Sequence, residues 1–318
     1  MDKIFPPSLT PSHGQSEALE KIQLAFNDGK RFFVLEGPTG FGKSVVAKAV
    51  LNLCGKGFIT SPMNTLVSQY SKDRHLELTE VRGQSTYTCT VFRGMDCEQA
   101  GDLFEDHSKR CAGYIPARDA FWTARHSVTN LHFLCNAPPI QGAIYPRDVL
   151  VVDEAHNLEQ KLIDMGLRKI SLSQVSALKA RPFDFAGDDK KQLACDEVAE
   201  WLRYFDSAIT HSIDKLSDGK EKRDYERLQQ AINFTLDCGD WITWKEKGKL
   251  VIAPMSIKRA ATPLFRCAKR VLFMSATMGD IPLFLKNLGI EMTRLEFTQR
   301  NVRSQRKTEE SSIAISAL

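Results

Sequence analysis

Two short stretches carry residues whose types and spacing could bind and cleave phosphates. The first, GPTGFGKS from Gly37 to Ser44, follows the apolar run RFFVLE and overlaps the start of a helix-like run, SVVAKAVLNLC. Its glycines let the backbone curl so that N–H groups point at phosphate oxygens, and the first turn of the helix adds positive potential. Lys43 would neutralise the β- and γ-phosphates, and Ser44 would ligate Mg²⁺. The predicted nucleotide-binding residues of this loop are Gly37, Thr39, Gly40, Gly42, Lys43 and Ser44.

The second stretch, VLVVDEAHN from Val149 to Asn157, ends an apolar run with two adjacent carboxylates. Four consecutive apolar residues predict a buried parallel strand, and ligands of open α/β sheets bind at the carboxyl ends of such strands. Asp153 would hold Mg²⁺ through its water shell, and Glu154 would orient and deprotonate the attacking water. The two stretches together predict a site for ATP and Mg²⁺, with Lys43, Asp153 and Glu154 as catalytic residues.

The elements that position these residues follow a strand–helix–strand pattern. The short apolar runs RFFVLEG, GFITSP, DVLVVDEA, KLVIAPM and RVLFMSA are separated by helix-like or polar segments, which is typical of a parallel sheet with flanking helices. A cysteine-, aromatic- and charge-rich stretch and a charged, helix-patterned stretch interrupt the pattern. We therefore predict an α/β fold, a P-loop parallel sheet with two inserted, mainly helical subdomains. The predicted boundaries are 1–85, 139–157 and 241–297 for the sheet, 86–138 and 158–240 for the insertions, and 298–318 for a polar tail without regular structure.

These motifs resemble those of superfamily 2 helicases, and their layout is similar to the XPD/DinG family of iron–sulfur DNA helicases. The acidic pair spells DEAH with His156, and the letters SAT run from Ser275 to Thr277. The resemblance implies a RecA-like first motor lobe in which Gln15 reads the adenine edge, while His156, Ser275 and Thr277 couple the nucleotide site to the nucleic-acid track. It covers about residues 12 to 297 and implies ATP-dependent movement, 5′ to 3′, on single-stranded or forked DNA.

In that family the first insertion is an iron–sulfur cluster domain and the second is a helical arch. Cys89, Cys97, Cys111 and Cys135 follow the spacing C-x7-C-x13-C-x23-C, and four soft thiolates suit a [4Fe–4S] cluster. The family register makes Cys111 the last ligand, so the remaining ligand is Cys135, His107 or absent. Zinc held by three cysteines and one histidine, and a metal-free domain of small buried thiols, stay open as alternatives.

A motor that ignores base sequence needs cations along a groove and aromatic faces for stacking. Basic and aromatic residues interleave in the first insertion, and we predict that this region contacts DNA. The candidates are Lys109, Arg110, Tyr114, Arg118, Phe121, Trp122 and Arg125. The segment TSPMNTLVSQY, from Thr60 to Tyr70, resembles the family segment that grips a single strand through hydroxyls and amides.

Composition and charge narrow the class of protein further. The chain has 318 residues, of which 42% are hydrophobic, and Lys plus Arg exceed Asp plus Glu by 43 to 39. This balance permits contact with phosphate backbones. No apolar run approaches the roughly 18 residues that cross a bilayer, and MDKIFPPSLTPSHG lacks the apolar core of a secretion signal. We therefore expect a cytoplasmic protein without a membrane partner, associated with the nucleoid in a bacterium or phage.

The segment after the SAT motif is short for a complete motor. The second lobe of such motors supplies an arginine that stabilises the transferring phosphoryl group. A further lobe needs on the order of 150 residues, whereas about 40 follow the motif. We expect that the second lobe is missing, that this chain alone binds ATP but turns it over slowly, and that a second chain could supply the lobe. The alternative is a non-motor nucleotide- and single-strand-binding module, against which the catalytic base Glu154 argues.

Overall fold

A computed structural model of the chain describes residues 4–103, 111–183, 195–216, 219–238, 241–291, 296–303 and 310–317. The chain separates into two compact units. Unit 1 comprises Met1–Cys97, Arg110–Lys161 and Ala261–Leu318, and unit 2 comprises Glu98–Lys109 and Leu162–Ala260.

The elements alternate along the chain as follows. The strands are β1 (Phe32–Glu36), β2 (Gly57–Ser61), β3 (Thr79–Val81), β4 (His126–Asn130), β5 (Arg147–Val152), β6 (Arg168–Ser171), β7 (Trp241–Glu246), β8 (Lys249–Pro254), β9 (Ala268–Ser275), β10 (Glu296–Arg303) and β11 (Glu310–Ala317). The helices are α1 (His13–Asn27), α2 (Lys43–Cys54), α3 (Asn64–Lys72), α4 (Cys97–Leu103), α5 (Tyr114–Thr123), α6 (Leu131–Asn136), α7 (Leu158–Gly166), α8 (Leu172–Ala177), α9 (Cys195–Ser212), α10 (Gly219–Cys238), α11 (Lys258–Arg266) and α12 (Ile281–Asn287).

The sheet of unit 1 has the strand order β10-β11-β1-β9-β5-β2-β4-β3. The six strands from β1 to β3 in this order run parallel, whereas β11 is antiparallel to both β1 and β10. The predicted parallel α/β fold is confirmed. Because β1, β9 and β5 are neighbours, their carboxyl ends bring the phosphate loop, the SAT motif and the acidic pair to one edge of the sheet.

The core of unit 1 explains why the apolar runs form strands. Val149 and Val151 of β5 and Leu272 and Met274 of β9 are fully buried in the cluster that also contains α1 and α2 side chains. Their spacing of two puts them on one face of the sheet. Each fully buried aliphatic side chain of this kind contributes about 1.5–3 kcal/mol.

Strand β4 corrects the predicted limits of the first insertion. Residues 86–138 were expected outside the sheet, but His126–Asn130 lies between β2 and β3. The strand has no apolar run: Ser127 and Thr129 are fully buried, and each hydroxyl donates to a backbone carbonyl at 2.8 Å. Hydrogen bonding offsets the cost of burying a hydroxyl, so hydrophobicity alone does not reveal this strand.

Unit 2 also differs from the predicted boundaries. Residues 158–240 were expected to be mainly helical and residues 241–297 to belong to the parallel sheet. Instead, β7 and β8 join β6 in a separate three-stranded antiparallel sheet of unit 2. The helix α9 contributes Trp201 and Phe205, whose rings stack with centroids 5.0 Å apart in the core of this unit. Periodicity identifies a strand but does not say which sheet the strand joins.

The segment 298–318, expected to lack regular structure, contributes strands β10 and β11. They pair as an antiparallel hairpin, and β11 extends the parallel sheet at β1. No helix among the described residues is long and apolar enough to cross a membrane.

Candidate nucleotide-binding site

The loop between β1 and α2 has the conformation that its glycines permit. Gly40 and Gly42 have φ values of 84° and 78°, a region that residues with a Cβ rarely adopt. A Cβ on Gly42 would also lie 2.3 Å from Nε2 of Gln15. Helix α2 begins directly after Gly42, and Nζ of Lys43 donates to the carbonyl of Gly37 at 3.0 Å. The loop is therefore curled back on itself, with its lysine folded against it.

Gln15 hydrogen-bonds to the backbone of this loop. Its Oε1 accepts from the N–H of Ser12 at 2.8 Å, as part of the capping box of α1, and its Nε2 donates to the carbonyl of Phe41 at 2.8 Å. Both ends of the amide are thus used within the protein. The structure gives Gln15 a loop-positioning role, and contact with adenine stays a prediction.

Asp153 lies at the carboxyl end of β5 as a buried carboxylate with one free oxygen. It is 6% exposed, and its Oδ2 accepts from the hydroxyl of Tyr70 at 2.9 Å. Its Oδ1 is buried without a hydrogen-bond partner among the described residues. Burial raises the pKa of this carboxyl, the Tyr70 hydrogen bond opposes that rise, and the charge of Glu154 adds to it. A buried oxygen without a partner is costly, so a cation at Oδ1 would stabilise the site.

These residues line a cavity of about 500 Å³ in unit 1. The predicted residues Gly40, Gly42, Lys43, Ser44, Asp153 and Glu154 all face it, together with Leu66, Gln69, Tyr70, Asp73 and Leu76. The hydroxyl of Ser44 and the carboxylate of Asp153 both line this cavity and are hard oxygen ligands, the donor type that Mg²⁺ takes. The chain therefore offers a set of residues that fits Mg²⁺ bound with a nucleotide.

His156 contacts both the SAT motif and the acidic pair. Nδ1 of His156 lies 2.7 Å from Oγ of Ser275 and 3.3 Å from Oε2 of Glu154. Since the Ser275 hydroxyl donates to the carbonyl of Thr277 at 2.9 Å, it accepts from His156, which assigns the proton to Nδ1. The carbonyl of Ser275 also accepts from the N–H of Gly37 at 2.9 Å. The predicted coupling residues are thus brought together, and they contact both the acidic pair and the phosphate loop.

Glu154 adopts a backbone conformation that the sequence does not signal. Its φ and ψ are 50° and 45°, in the left-handed region, and it caps the short turn Ala155–Asn157. For a residue with a Cβ this costs on the order of 1–3 kcal/mol and is concentrated at functional sites.

The chain's family can be read from these motifs. Residues 8–182, which include the phosphate loop and DEAH, match the family described as the type III restriction enzyme, res subunit. The chain belongs to this res-subunit family. No curated protein matches the chain significantly.

Comparison with solved structures shows which known fold this member of the res-subunit family shares. A solved XPD helicase superposes with a TM-score of 0.59 at 16% identity, over 89% of this chain and 61% of that one, so the chain spans less than two thirds of that helicase. A truncated XPD superposes with a TM-score of 0.51 at 16% identity, over 88% of this chain and 97% of that one. The expected fold of an XPD-like first motor lobe is confirmed, and it is the fold of a helicase-type motor domain.

Three of the four candidate metal ligands of the res-subunit chain lie near one another. Cys89, Cys97 and Cys111 are buried; the Sγ atoms of Cys97 and Cys111 are 3.9 Å apart, and Cys89 is near enough to raise the pKa of Cys97. Cys135 lies elsewhere: it is near enough to Cys267 to raise the pKa of that thiol, and burial raises its own pKa to about 12. His107 lies outside the described residues.

Among the described residues, no group of three or more His, Cys, Asp or Glu side chains could hold a metal ion. A [4Fe–4S] cluster needs four ligands around one centre. The predicted set of four cysteines therefore does not fit a cluster in this structure.

Two of the predicted DNA-stacking residues are wrong. Phe121 and Trp122 are 0% and 1% exposed and pack in an aromatic cluster with Phe58, so they cannot stack on bases. Tyr114, Arg118 and Arg125 remain accessible, and Lys109 and Arg110 lie outside the described residues.

The hydroxyls at the two ends of the segment from Thr60 to Tyr70 are also unavailable to a nucleic-acid strand. Thr60 is fully buried, and the hydroxyl of Tyr70 donates to Asp153. The sequence alone does not indicate this role of Tyr70. A tyrosine on the buried face of an amphipathic helix is expected to form a hydrogen bond through its hydroxyl, but its position in the sequence does not identify the acceptor.

Proposed function

We propose that this chain is the ATP-binding lobe of a DNA helicase motor that works on single-stranded or forked DNA in the 5′ to 3′ direction. The observation that carries the proposal is Asp153 Oδ1, a buried carboxylate oxygen without a hydrogen-bond partner among the described residues, in one cavity with the phosphate-loop residues Lys43 and Ser44. A carboxylate oxygen left unpaired beside a phosphate loop is where a cation would compensate the cost of burial.

In this proposal Ser44 and Asp153 would hold a Mg²⁺ ion that supplies positive charge to the nucleotide phosphates. Tyr70 keeps the Asp153 carboxylate in place through its hydroxyl. Lys43 leaves the Gly37 carbonyl and binds phosphate oxygens. Glu154, beside the same cavity, accepts the proton of the attacking water.

Coupling to DNA is assigned to His156, whose Nδ1 hydrogen-bonds Ser275 and lies 3.3 Å from the carboxylate of Glu154. Because His156 contacts both the proposed catalytic base, Glu154, and the SAT motif, a shift of the SAT segment would change the position of Glu154. The accessible residues Tyr114 and Arg118 are the proposed DNA contacts on unit 1.

A low rate for the isolated chain follows from the residues that line the cavity. None of the described residues lining it is an arginine, and an arginine finger typically contributes about 10³ to 10⁵ in rate. We therefore propose that a second lobe, on this protein or on a partner chain, supplies that charge. The same observation is what a non-motor nucleotide- and single-strand-binding module would show, and this is the second candidate function.

Binding of a fluorescent ATP analogue with Mg²⁺ tests the site. Lys43→Ala should weaken binding about 10- to 100-fold, since it removes a charge-assisted contact. Lys286→Ala, which removes an exposed lysine of α12, should leave binding unchanged. Equal affinity in Lys43→Ala and the unaltered chain would contradict the proposed site.

The direction of movement and the DNA substrate are tested with forked duplexes that carry a single 5′ or 3′ overhang. The second lobe is added to the chain if ATP turnover requires it. The proposal expects unwinding of the 5′-tailed substrate only. ATP-dependent unwinding of the 3′-tailed substrate would contradict the direction, and nucleotide-dependent DNA binding without unwinding would favour the binding module.

We propose no step through an iron–sulfur cluster held by the four cysteines, because Cys135 lies with Cys267 and apart from Cys97 and Cys111.

A further inference from the structure

A second cavity lies at the edge of the unit 1 sheet opposite the nucleotide site. It includes Thr79 and His126, which are the first residues of β3 and β4. The phosphate loop follows the last residue of β1, and all three strands belong to the parallel part of the sheet. The two sites therefore lie at opposite strand ends. We call this site, of about 530 Å³, the basic cavity; its ionisable lining residues are Lys48, Arg74, His75, Glu77, Arg125 and His126.

Lys48 is a buried cation in the lining of the basic cavity. It is 6% exposed, and its Nζ lies 3.1 Å from Nδ1 of His126. His126 uses Nε2 to donate to the carbonyl of Gly55 at 3.0 Å, so its Nδ1 accepts from Lys48 and the ring is neutral. The ammonium group thus has one uncharged acceptor for three N–H groups.

The charge on Lys48 is not balanced by an ion pair. Its Nζ donates a hydrogen bond to His126, and no carboxylate among the described residues forms an ion pair with it. Burial lowers the pKa of Lys48, which the charge of Glu77 opposes and that of Arg125 reinforces. Burying a charge without a partner is unfavourable, and the site lacks the counter-charge that such a residue normally has.

The other side chains of the cavity add positive charge. Arg74 and Arg125 are exposed at its wall, and Arg125 uses Nε on the carbonyl of Gly55, which leaves the two terminal nitrogens of its guanidinium for a ligand. Glu77 is the single carboxylate among the lining residues. Three cations against one anion favour a doubly charged ligand.

We propose that the basic cavity binds a small phosphate-bearing anion through Lys48, Arg74 and Arg125. Guanidinium groups match the geometry of phosphate oxygens, and Lys48 would supply a buried point charge. A concave site of this volume takes a small molecule, such as inorganic phosphate or a nucleoside monophosphate. This site is independent of the ATP chemistry at the phosphate loop.

The test is calorimetric titration of the full chain with inorganic phosphate at constant ionic strength. All proteins carry Lys43→Ala, so that the phosphate loop does not contribute. On this background, Lys48→Met and Arg74→Gln should each weaken phosphate binding about 10-fold or more, as expected for loss of a charge-assisted hydrogen bond. Lys286→Gln removes an equal charge outside the cavity and should keep the affinity within about 2-fold.

Arg74 is exposed, so Arg74→Gln should fold even if Lys48→Met does not, and circular dichroism checks both. A parallel titration with adenosine monophosphate identifies the source: tighter binding than phosphate indicates a nucleotide, and equal binding indicates free phosphate. The proposal is overturned by phosphate affinity that is the same in Arg74→Gln and Lys286→Gln. It is also overturned if the cavity variants weaken only the binding of a single-stranded oligonucleotide.

Discussion

At the scale of single residues, the hydroxyl of Tyr70 holds the Asp153 carboxylate at the candidate site. Lys43, Ser44, Asp153 and Glu154 are candidates because their spacing matches what binding of phosphate and Mg²⁺ requires. Tyr70 could not be recognised, since it acts on Asp153 across 83 positions of the chain. The left-handed backbone of Glu154 was equally hidden, because no local sequence rule favours it for glutamate.

The hydroxyl of Tyr70 makes a testable contribution to the Mg²⁺ site. Tyr70→Phe removes the hydrogen bond that orients Asp153, and groups that orient a metal ligand typically contribute about 10-fold or more to metal affinity. We expect the Mg²⁺ concentration for half-maximal ATP binding to rise about 10-fold. Tyr225→Phe is the matched control, because its hydroxyl bonds the carbonyl of Gln174 in unit 2. Equal Mg²⁺ dependence in the two variants would show that Tyr70 does not support the site.

At the scale of elements, a buried arginine joins the strands that the sequence analysis separated. Arg147 of β5 is 1% exposed, and its guanidinium donates to Gly57, Ser127, Phe121 and Trp122. Its carbon Cζ lies 3.8 Å from the ring centroid of Phe58. Burial lowers the pKa of Arg147 to about 10, so it stays charged at neutral pH. The arginine fixes β2, β4 and α5 on β5.

Replacing this arginine by lysine should destabilise unit 1. Arg147→Lys keeps the charge but cannot reach several acceptors at once. The buried carbonyls left without donors cost about 1–3 kcal/mol each, so we expect a loss of about 3 kcal/mol or more in the free energy of unfolding. Urea unfolding measures it, with Arg118→Lys, at a partly exposed ion pair, as the control. A loss below about 1 kcal/mol would contradict this role.

The first residue of β4 should make stability depend on pH. His126 is 8% exposed, and burial, helped by the charge of Lys48, lowers its pKa to about 4. It stays neutral in the folded chain, whereas it gains a proton in the unfolded chain below about pH 6.5. The contribution of His126 to the free energy of unfolding is therefore fully present above about pH 6.5 and is lost as the pH falls from about 6.5 to about 4.

Between pH 7 and pH 5, His126 should account for about 2 kcal/mol of that loss. His126→Gln keeps a donor and an acceptor without titrating, so its free energy of unfolding should fall less over this range. His132→Gln, at an exposed position of α6, should behave as the unaltered chain does. Identical pH dependence in His126→Gln and His132→Gln would refute the assignment.

At the scale of the whole molecule, the sequence predicted the lobe but misplaced its limits. The parallel sheet followed from apolar runs and loop motifs, because both are local. The predicted boundaries were wrong at β4, where the buried side chains include hydroxyls that hydrogen-bond to backbone carbonyls. They were also wrong at β7 and β8, because the partner of a strand depends on residues far away in the chain. The sequence also overcounted metal ligands, since cysteine spacing does not show that Cys135 lies with Cys267.

Metal analysis tests that last point on the intact protein. After anaerobic purification, iron, sulfide and zinc per chain should be the same in Cys135→Ser as in the unaltered chain. Cys111→Ser is the comparison, since Cys111 lies with Cys97. Loss of metal on Cys135→Ser would restore the four-cysteine set.

ATP hydrolysis by the full chain, with and without single-stranded DNA, compared with Glu154→Gln, decides the role of Glu154. We expect slow hydrolysis that falls about 10²-fold or more in Glu154→Gln, with ATP affinity unchanged, because Glu154 acts on water and not on the nucleotide. Hydrolysis at the same rate in both chains would contradict the assignment of Glu154 as the catalytic base and, with it, the proposed motor lobe.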